Sequence, residues 1–146
     1  MSIKKILVAV DGSKPATHAA NKAIELAKSI RAVLTILYIV SPPTYIDLGY
    51  ANVGRMNEIE SKEKKRAQRL VDKAKNNAIQ NDIPVETKVL IKYTSVVKSI
   101  LEHAEKNKID LIVVGSRGMS GFKKMLLGSV ASGVVTYAHC PVLVVK

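Results

Sequence analysis

The chain has 146 residues, one cysteine and a formal net charge of +11, with 47% apolar and 24% charged residues. That length suits a single domain with its own core, and the composition excludes a disordered chain or a disulfide framework. The excess of cations favours polyanionic partners such as nucleotides, but aromatic residues are only 4% and do not interleave with the basic ones, which argues against a stacking platform for nucleic acid.

The first apolar run, Ile6 to Val10, is too short for a secretory leader and ends in Asp11. No stretch approaches the roughly 20 apolar residues of a membrane span. Cys140 stands alone, so no intrachain disulfide can form, and a reducing, cytoplasmic setting is expected.

Ile3 to Val10 reads as a buried strand that Asp11-Gly12-Ser13 breaks. Pro15 suits the first turn of a helix, whose Ala16, Ala19, Ala20, Ala23, Ile24, Ala27 and Ile30 recur at helical spacing. Val33 to Val40 is a second strand, apolar on both faces as in a parallel sheet, and Ser41-Pro42-Pro43 stops it. A connection with Tyr45 and Tyr50 leads to a charged helix, Met56 to Gln80, with an apolar stripe of Ala67, Leu70, Val71, Ala74 and Ala78. Its run Lys62-Glu63-Lys64-Lys65-Arg66 reads as a solvated face. Pro84 to Ile91 is a third strand and Ser95 to Lys106 a helix with Val96, Val97, Ile100, Leu101 and Ala104 inward. Ile109 to Gly115 is a fourth strand, Ser129 to Ala138 a short helix and Pro141 to Val145 a fifth strand.

Strict alternation of strands and helices predicts one α/β domain over residues 1–146. The expected fold is a three-layer sandwich around a five-stranded parallel sheet of order 3-2-1-4-5, with right-handed crossovers. Ligands of such sheets bind outside the carboxyl ends of the strands, where the strand order reverses. Here that point lies between strands 1 and 4, so Asp11 and Gly115 are expected to be neighbours.

Beyond Gly115 the chain reads Gly115-Ser116-Arg117-Gly118, nine further residues, then Gly128-Ser129. Glycines let a backbone approach phosphate closely, and Gly128-Ser129 opens a helix whose free N–H groups favour an anion. Taken alone, the same glycines also fit simple turns and a helix cap. A P-loop is excluded because its Gly-Lys-Ser/Thr ending is absent. His18, His103 and His139 have no metal-ligand spacing, and neither they nor Cys140 form a catalytic pair.

The glycine pattern with its spacing resembles the nucleotide-binding motif of ATP-binding universal stress proteins. The opening Ile6-Leu7-Val8-Ala9-Val10-Asp11-Gly12-Ser13 and the closing His139-Cys140-Pro141-Val142-Leu143-Val144-Val145 resemble the first and last strands of that family. The resemblance runs the whole length and implies a Rossmann-like fold of the adenine nucleotide alpha hydrolase type. It implies ATP as ligand, with Mg2+ as an accompanying ion. Asp11 would accept hydrogen bonds from the ribose hydroxyls. Ala9, Val10 and Ile39 would line the adenine pocket, and Val114 and Gly115 would pack beside sugar and base. Ser116, Arg117 and Gly118 would face the phosphates, and Gly128, Ser129, Val130 and Ala131 would bind them from the helix start. Ala9 stands where relatives carry proline, which bears on pocket shape.

The sequence supplies no P-loop lysine, no second acid on the phosphate loop and no placed base, so a nucleotide-dependent switch in the stress response is expected rather than a fast enzyme. A slow ATP hydrolase is the alternative. A flavodoxin-like FMN carrier fits less well, because Asp11-Gly12-Ser13 is too short and acidic for a phosphate loop after strand 1. The fifth strand falls at a sheet edge, with no charge from Val142 to Val145, so a homodimer through it is expected.

Overall fold

Period-two alternation on the strands decides which helices each side chain meets. The computed structural model describes residues 2–42, 53–118 and 127–146. Among these residues the chain runs β1 (Lys5–Ala9), α1 (Lys14–Ile30), β2 (Val33–Val40), α2 (Val53–Gln80), β3 (Val85–Ile91), α3 (Val96–Lys106), β4 (Leu111–Gly115), α4 (Ser129–Tyr137) and β5 (Val142–Val145). All five strands are parallel, in the order β3-β2-β1-β4-β5. The predicted order is thus the observed one. The largest shift of an element boundary is at α2, which begins three residues before the expected Met56. Tyr45 and Tyr50, which the sequence placed on a connection, lie outside the described residues.

On β1, Ile6 and Val8 face one side with Leu34, Ile36, Tyr38, Leu111 and Val113, against α1 and α2. Leu7 faces the other side with Leu37, Ile39, Ile112 and Val114, against α3 and α4. Helices on both faces give the three layers. Ile6, Leu7 and Val8 are fully buried, and truncating such a side chain to alanine costs about 2–5 kcal/mol.

Serine caps start two of the helices. Ser13 Oγ accepts from the Ala16 N–H at 3.2 Å, with Pro15 in the first turn of α1, and Ser95 Oγ accepts from the Lys98 N–H at 3.1 Å. The alanines of α1 bury without bulk, which lets this helix sit close to the sheet. On α2, Ala67, Val71 and Ala78 are buried, and Leu70 and Ala74 pack against the same core. Ser99 of α3 is buried despite its hydroxyl, which donates to the Ser95 carbonyl at 3.0 Å and so leaves no unmet polar group.

One backbone contact draws the ends of the layers together. A Cβ on Gly115 would lie 2.7 Å from the Pro15 carbonyl carbon and 2.9 Å from Ala16 N. Only glycine lets the end of β4 press against the start of α1.

Candidate functional site

β1 and β4 are neighbours, with Ile6, Leu7 and Val8 in register with Leu111, Ile112 and Val113. Outside their carboxyl ends, and that of β2, lies a cavity of about 500 Å³. It occupies the point where the strand order reverses.

The turn after β1 supplies the carboxylate. Gly12 adopts φ of +88°, a left-handed conformation that suits glycine. This turn brings the Ser13 N–H to Asp11 Oδ1 at 2.9 Å. The second oxygen, Oδ2, lies beside Gly118, 3.0 Å from where a Cβ there would stand. Asp11 is therefore both a turn-maker and a cavity carboxylate, and these two roles use different oxygens.

The loop after β4 supplies the facing wall. The Gly128 N–H donates to the Ser116 carbonyl at 2.6 Å, and the Ser116 N–H donates to the Val145 carbonyl at 2.8 Å. These bonds fold Gly118 back beside Gly128 and tie the loop to β5. The start of α4 differs from those of α1 and α3. Its cap residue, Gly128, has no side chain to bond the first N–H groups, where α1 and α3 have serine caps. Its positive dipole end and its uncapped N–H groups make a favourable seat for an anion.

Ala9, Val10, Ile39, Val114 and Gly115 line the apolar side of the cavity. Asp11, Arg117, Gly118, Gly128, Ser129, Val130 and Ala131 line the rest of what the sequence nominated. Ser116 differs from expectation: it is buried at 6% exposure and does not line the cavity, and its backbone tethers the loop instead.

Other lining residues escaped the sequence reading: Ala16, Leu37, Tyr38, Glu63, Arg66, Val96 and Ile100. Arg66 is the notable one. It sits in the run read as a solvated face, yet its Nη1 donates to the Tyr38 hydroxyl at 3.2 Å, and that hydroxyl donates to the Asp11 carbonyl at 3.4 Å. Burial raises the Tyr38 phenol above its ordinary value, against the lowering effect of Arg66, so it stays protonated. A signal was present: Glu63, Arg66 and Leu70 continue the apolar stripe of α2 towards its start at helical spacing.

Among the described residues, no three His, Cys, Asp or Glu side chains cluster as metal ligands. Cys140 is half-buried, and burial pushes its thiol up, away from the reactive thiolate. The charged side chains that line the cavity are the carboxylates of Asp11 and Glu63 and the guanidinium groups of Arg66 and Arg117.

An open parallel α/β sheet with a cavity at its reversal point defines a doubly wound ligand-binding domain. The model of the universal stress protein family matches residues 2–146, and the chain belongs to that family. The universal stress protein YxiE of Bacillus subtilis is 36% identical over 147 residues, covering 97% of this chain and 98% of that protein. Universal stress protein MJ0531 of Methanocaldococcus jannaschii is 38% identical over 143 residues, covering 98% of this chain and 82% of that protein. Among solved structures, universal stress protein UspA from Lactobacillus plantarum superposes with a TM-score of 0.88 at 26% identity, covering 100% of this chain and 99% of that one.

Proposed function

We propose that this chain binds an adenine nucleotide, ATP in the first instance, and acts as a nucleotide-dependent switch in the stress response. The observation that carries the reading is the convergence of the Asp11 carboxylate, the Arg117-Gly118 loop and the uncapped start of α4 on one cavity. In this reading the apolar walls from Ala9, Val10, Ile39 and Val114 enclose the base and Asp11 accepts from the ribose hydroxyls. Gly118 and Gly128 leave room for phosphates that Arg117 and the N–H groups of Ser129, Val130 and Ala131 hold. Proteins of this fold solved with cAMP, dAMP and AMP support adenine nucleotides as the ligand class.

Mg2+, where it takes part, arrives on the phosphates of ATP and neutralises their charge. Phosphoryl transfer also needs a residue that orients the attacking water. Asp11 stands at the ribose end in this arrangement, so turnover by the isolated protein should fall far below the usual enzyme range of roughly 1–1000 per second. Slow hydrolysis is the second reading, and a turnover near one per second that Asp11→Ala or Gly128→Val removes would establish it.

The same reading includes a homodimer paired through β5, one nucleotide per subunit, and a cytoplasmic setting. No helix among the described residues is long and apolar enough to cross a membrane. The decisive experiment is mass spectrometry of small molecules released on denaturing the purified protein, followed by calorimetry with the nucleotide found. Finding no nucleotide, and no heat with ATP, ADP, AMP or cAMP, would remove the reading.

A further inference from the structure

Arg66 is set apart from the lysines beside it in α2. Lys62, Lys64 and Lys65 are exposed, whereas Arg66 is half-buried on the cavity wall. Its guanidinium lies against the Asp11 turn, where a Cβ on Gly12 would stand 2.9 Å from Nη2. Glu63, one helical turn earlier, holds it only loosely: Oε2 is 4.0 Å from Nη1, with the two side chains 46% and 37% exposed. An ion pair so open to water contributes little and is screened by salt.

A guanidinium carries five N–H donors in a planar fork and never loses its charge near neutrality. Among the described residues, the Tyr38 hydroxyl is its one hydrogen-bond acceptor. Among the described residues most of the fork therefore has no acceptor, and it lies on a wall other than that of Arg117. A plain nucleoside needs no cation here, while a phosphorylated one brings two or more negative charges into a small, partly apolar cavity.

On these grounds, and resting on the nucleotide reading above, we infer that Arg66 is a second anion-recognising residue, contacting phosphate oxygen from the α2 wall. It makes the cavity select phosphorylated adenosine over adenosine. The competing role is purely structural, in which Arg66 props Tyr38 and through it the Asp11 turn. The two roles differ in what they do to adenosine, which has the ribose hydroxyls but no charge.

Calorimetry with adenosine, AMP and ATP on the full chain and on Arg66→Gln, Arg66→Lys and Tyr38→Phe separates them. Charge-assisted hydrogen bonds are the strong ones, so Arg66→Gln should lower AMP and ATP affinity by about tenfold or more, with adenosine changed by less than about twofold. Arg66→Lys should recover part of the loss, since it keeps the charge without the fork. Tyr38→Phe keeps the cation and should lose less than Arg66→Gln. The fall of ATP affinity with added salt should also be shallower in Arg66→Gln. Equal losses for adenosine and the nucleotides would assign Arg66 the structural role and overturn the inference. An unchanged affinity for all three in Arg66→Gln would overturn it too, while leaving nucleotide binding intact. A wild-type chain that binds none of the three would remove the parent reading and this one with it.

Discussion

Asp11 and Gly118 face each other across the cavity so closely that a Cβ on Gly118 would lie 3.0 Å from Asp11 Oδ2. Asp11 Oδ1 is already engaged with the Ser13 N–H, so Oδ2 is the oxygen presented to a ligand. Replacing Asp11 by alanine should therefore weaken ATP binding by about ten- to a hundredfold, the value of hydrogen bonds to a charged acceptor. It should also cost about 1 kcal/mol of stability through the lost turn bond. Asp11→Asn keeps an oxygen for Ser13, so it should regain the stability but not the affinity. Calorimetry and thermal melts on both variants check this, and an unchanged affinity in folded Asp11→Ala would take Asp11 out of the site.

The two glycines of the facing loop should fail differently. A side chain at Gly128 meets backbone, 3.2 Å from Arg117 Cα, at the seat proposed for phosphate. Gly128→Val should lower ATP affinity more than adenosine affinity. At Gly118 the intruding group pushes on Asp11, so Gly118→Val should weaken both ligands. Paired titrations decide, and equal losses for ATP and adenosine in Gly128→Val would mean that the loop does not cradle phosphate.

His103 on α3 gives the stability of the protein an acid-side dependence. Its Nε2 is buried and has no hydrogen-bond partner among the described residues, and burial holds its imidazole below the ordinary value of 6.5. Glu86 of β3 opposes that shift, while Lys88 of β3, Lys92 just past its end and Lys106 of α3 add to it. The unfolded chain thus takes up a proton at a higher pH than the folded one. The stabilisation is complete above about pH 6.5 and is lost as pH falls through the lower folded value. Melting curves from pH 8 to pH 5 should show a steeper decline in the wild type than in His103→Met. Parallel declines would exclude His103 as a cause.

β5 pairs with β4 on one side only, through the Pro141 carbonyl, which accepts from Ile112 N–H at 3.1 Å, and the Val145 carbonyl, which accepts from Ser116 N–H. Alternation along the strand turns the Val142 and Val144 backbone groups outward, where a two-fold partner can pair with them. Val144→Pro removes one outward N–H and spares the ladder to β4, whereas proline at Leu143 would break that ladder as well. Sedimentation equilibrium at micromolar concentration should show a dimer in the wild type and a folded monomer in Val144→Pro. A wild-type monomer, or a Val144→Pro dimer, would defeat pairing through β5.

The strand order was legible in the sequence because it rests on connectivity. Strict β-α alternation forces parallel crossovers, and the topology then makes Asp11 and Gly115 neighbours before any coordinate is known. The role of Ser116 was not legible, because a hydroxyl residue inside a glycine loop has the same composition whether it faces a ligand or tethers a backbone. Its bonds to Gly128 and Val145 span distances in sequence that no local pattern encodes.

Gly115 shows the same division. Sequence marked it as a glycine at a strand end, and the packing of β4 against Pro15 and Ala16 explains why no other residue fits there. The sharpest case is Arg66. Its spacing from Leu70 puts it on the buried side of α2, but spacing alone does not say whether a cation there ends in solvent or reaches a cavity. That depends on where α2 lies against β2 and on Tyr38 offering a hydroxyl at the right height. Periodicity is a property of neighbours along the chain, so the sequence by itself determined the layers and the place of the cavity. The walls of that cavity come from residues far apart in the chain, and only the docking of α2 and α3 onto the sheet brought Glu63, Arg66, Val96 and Ile100 into them.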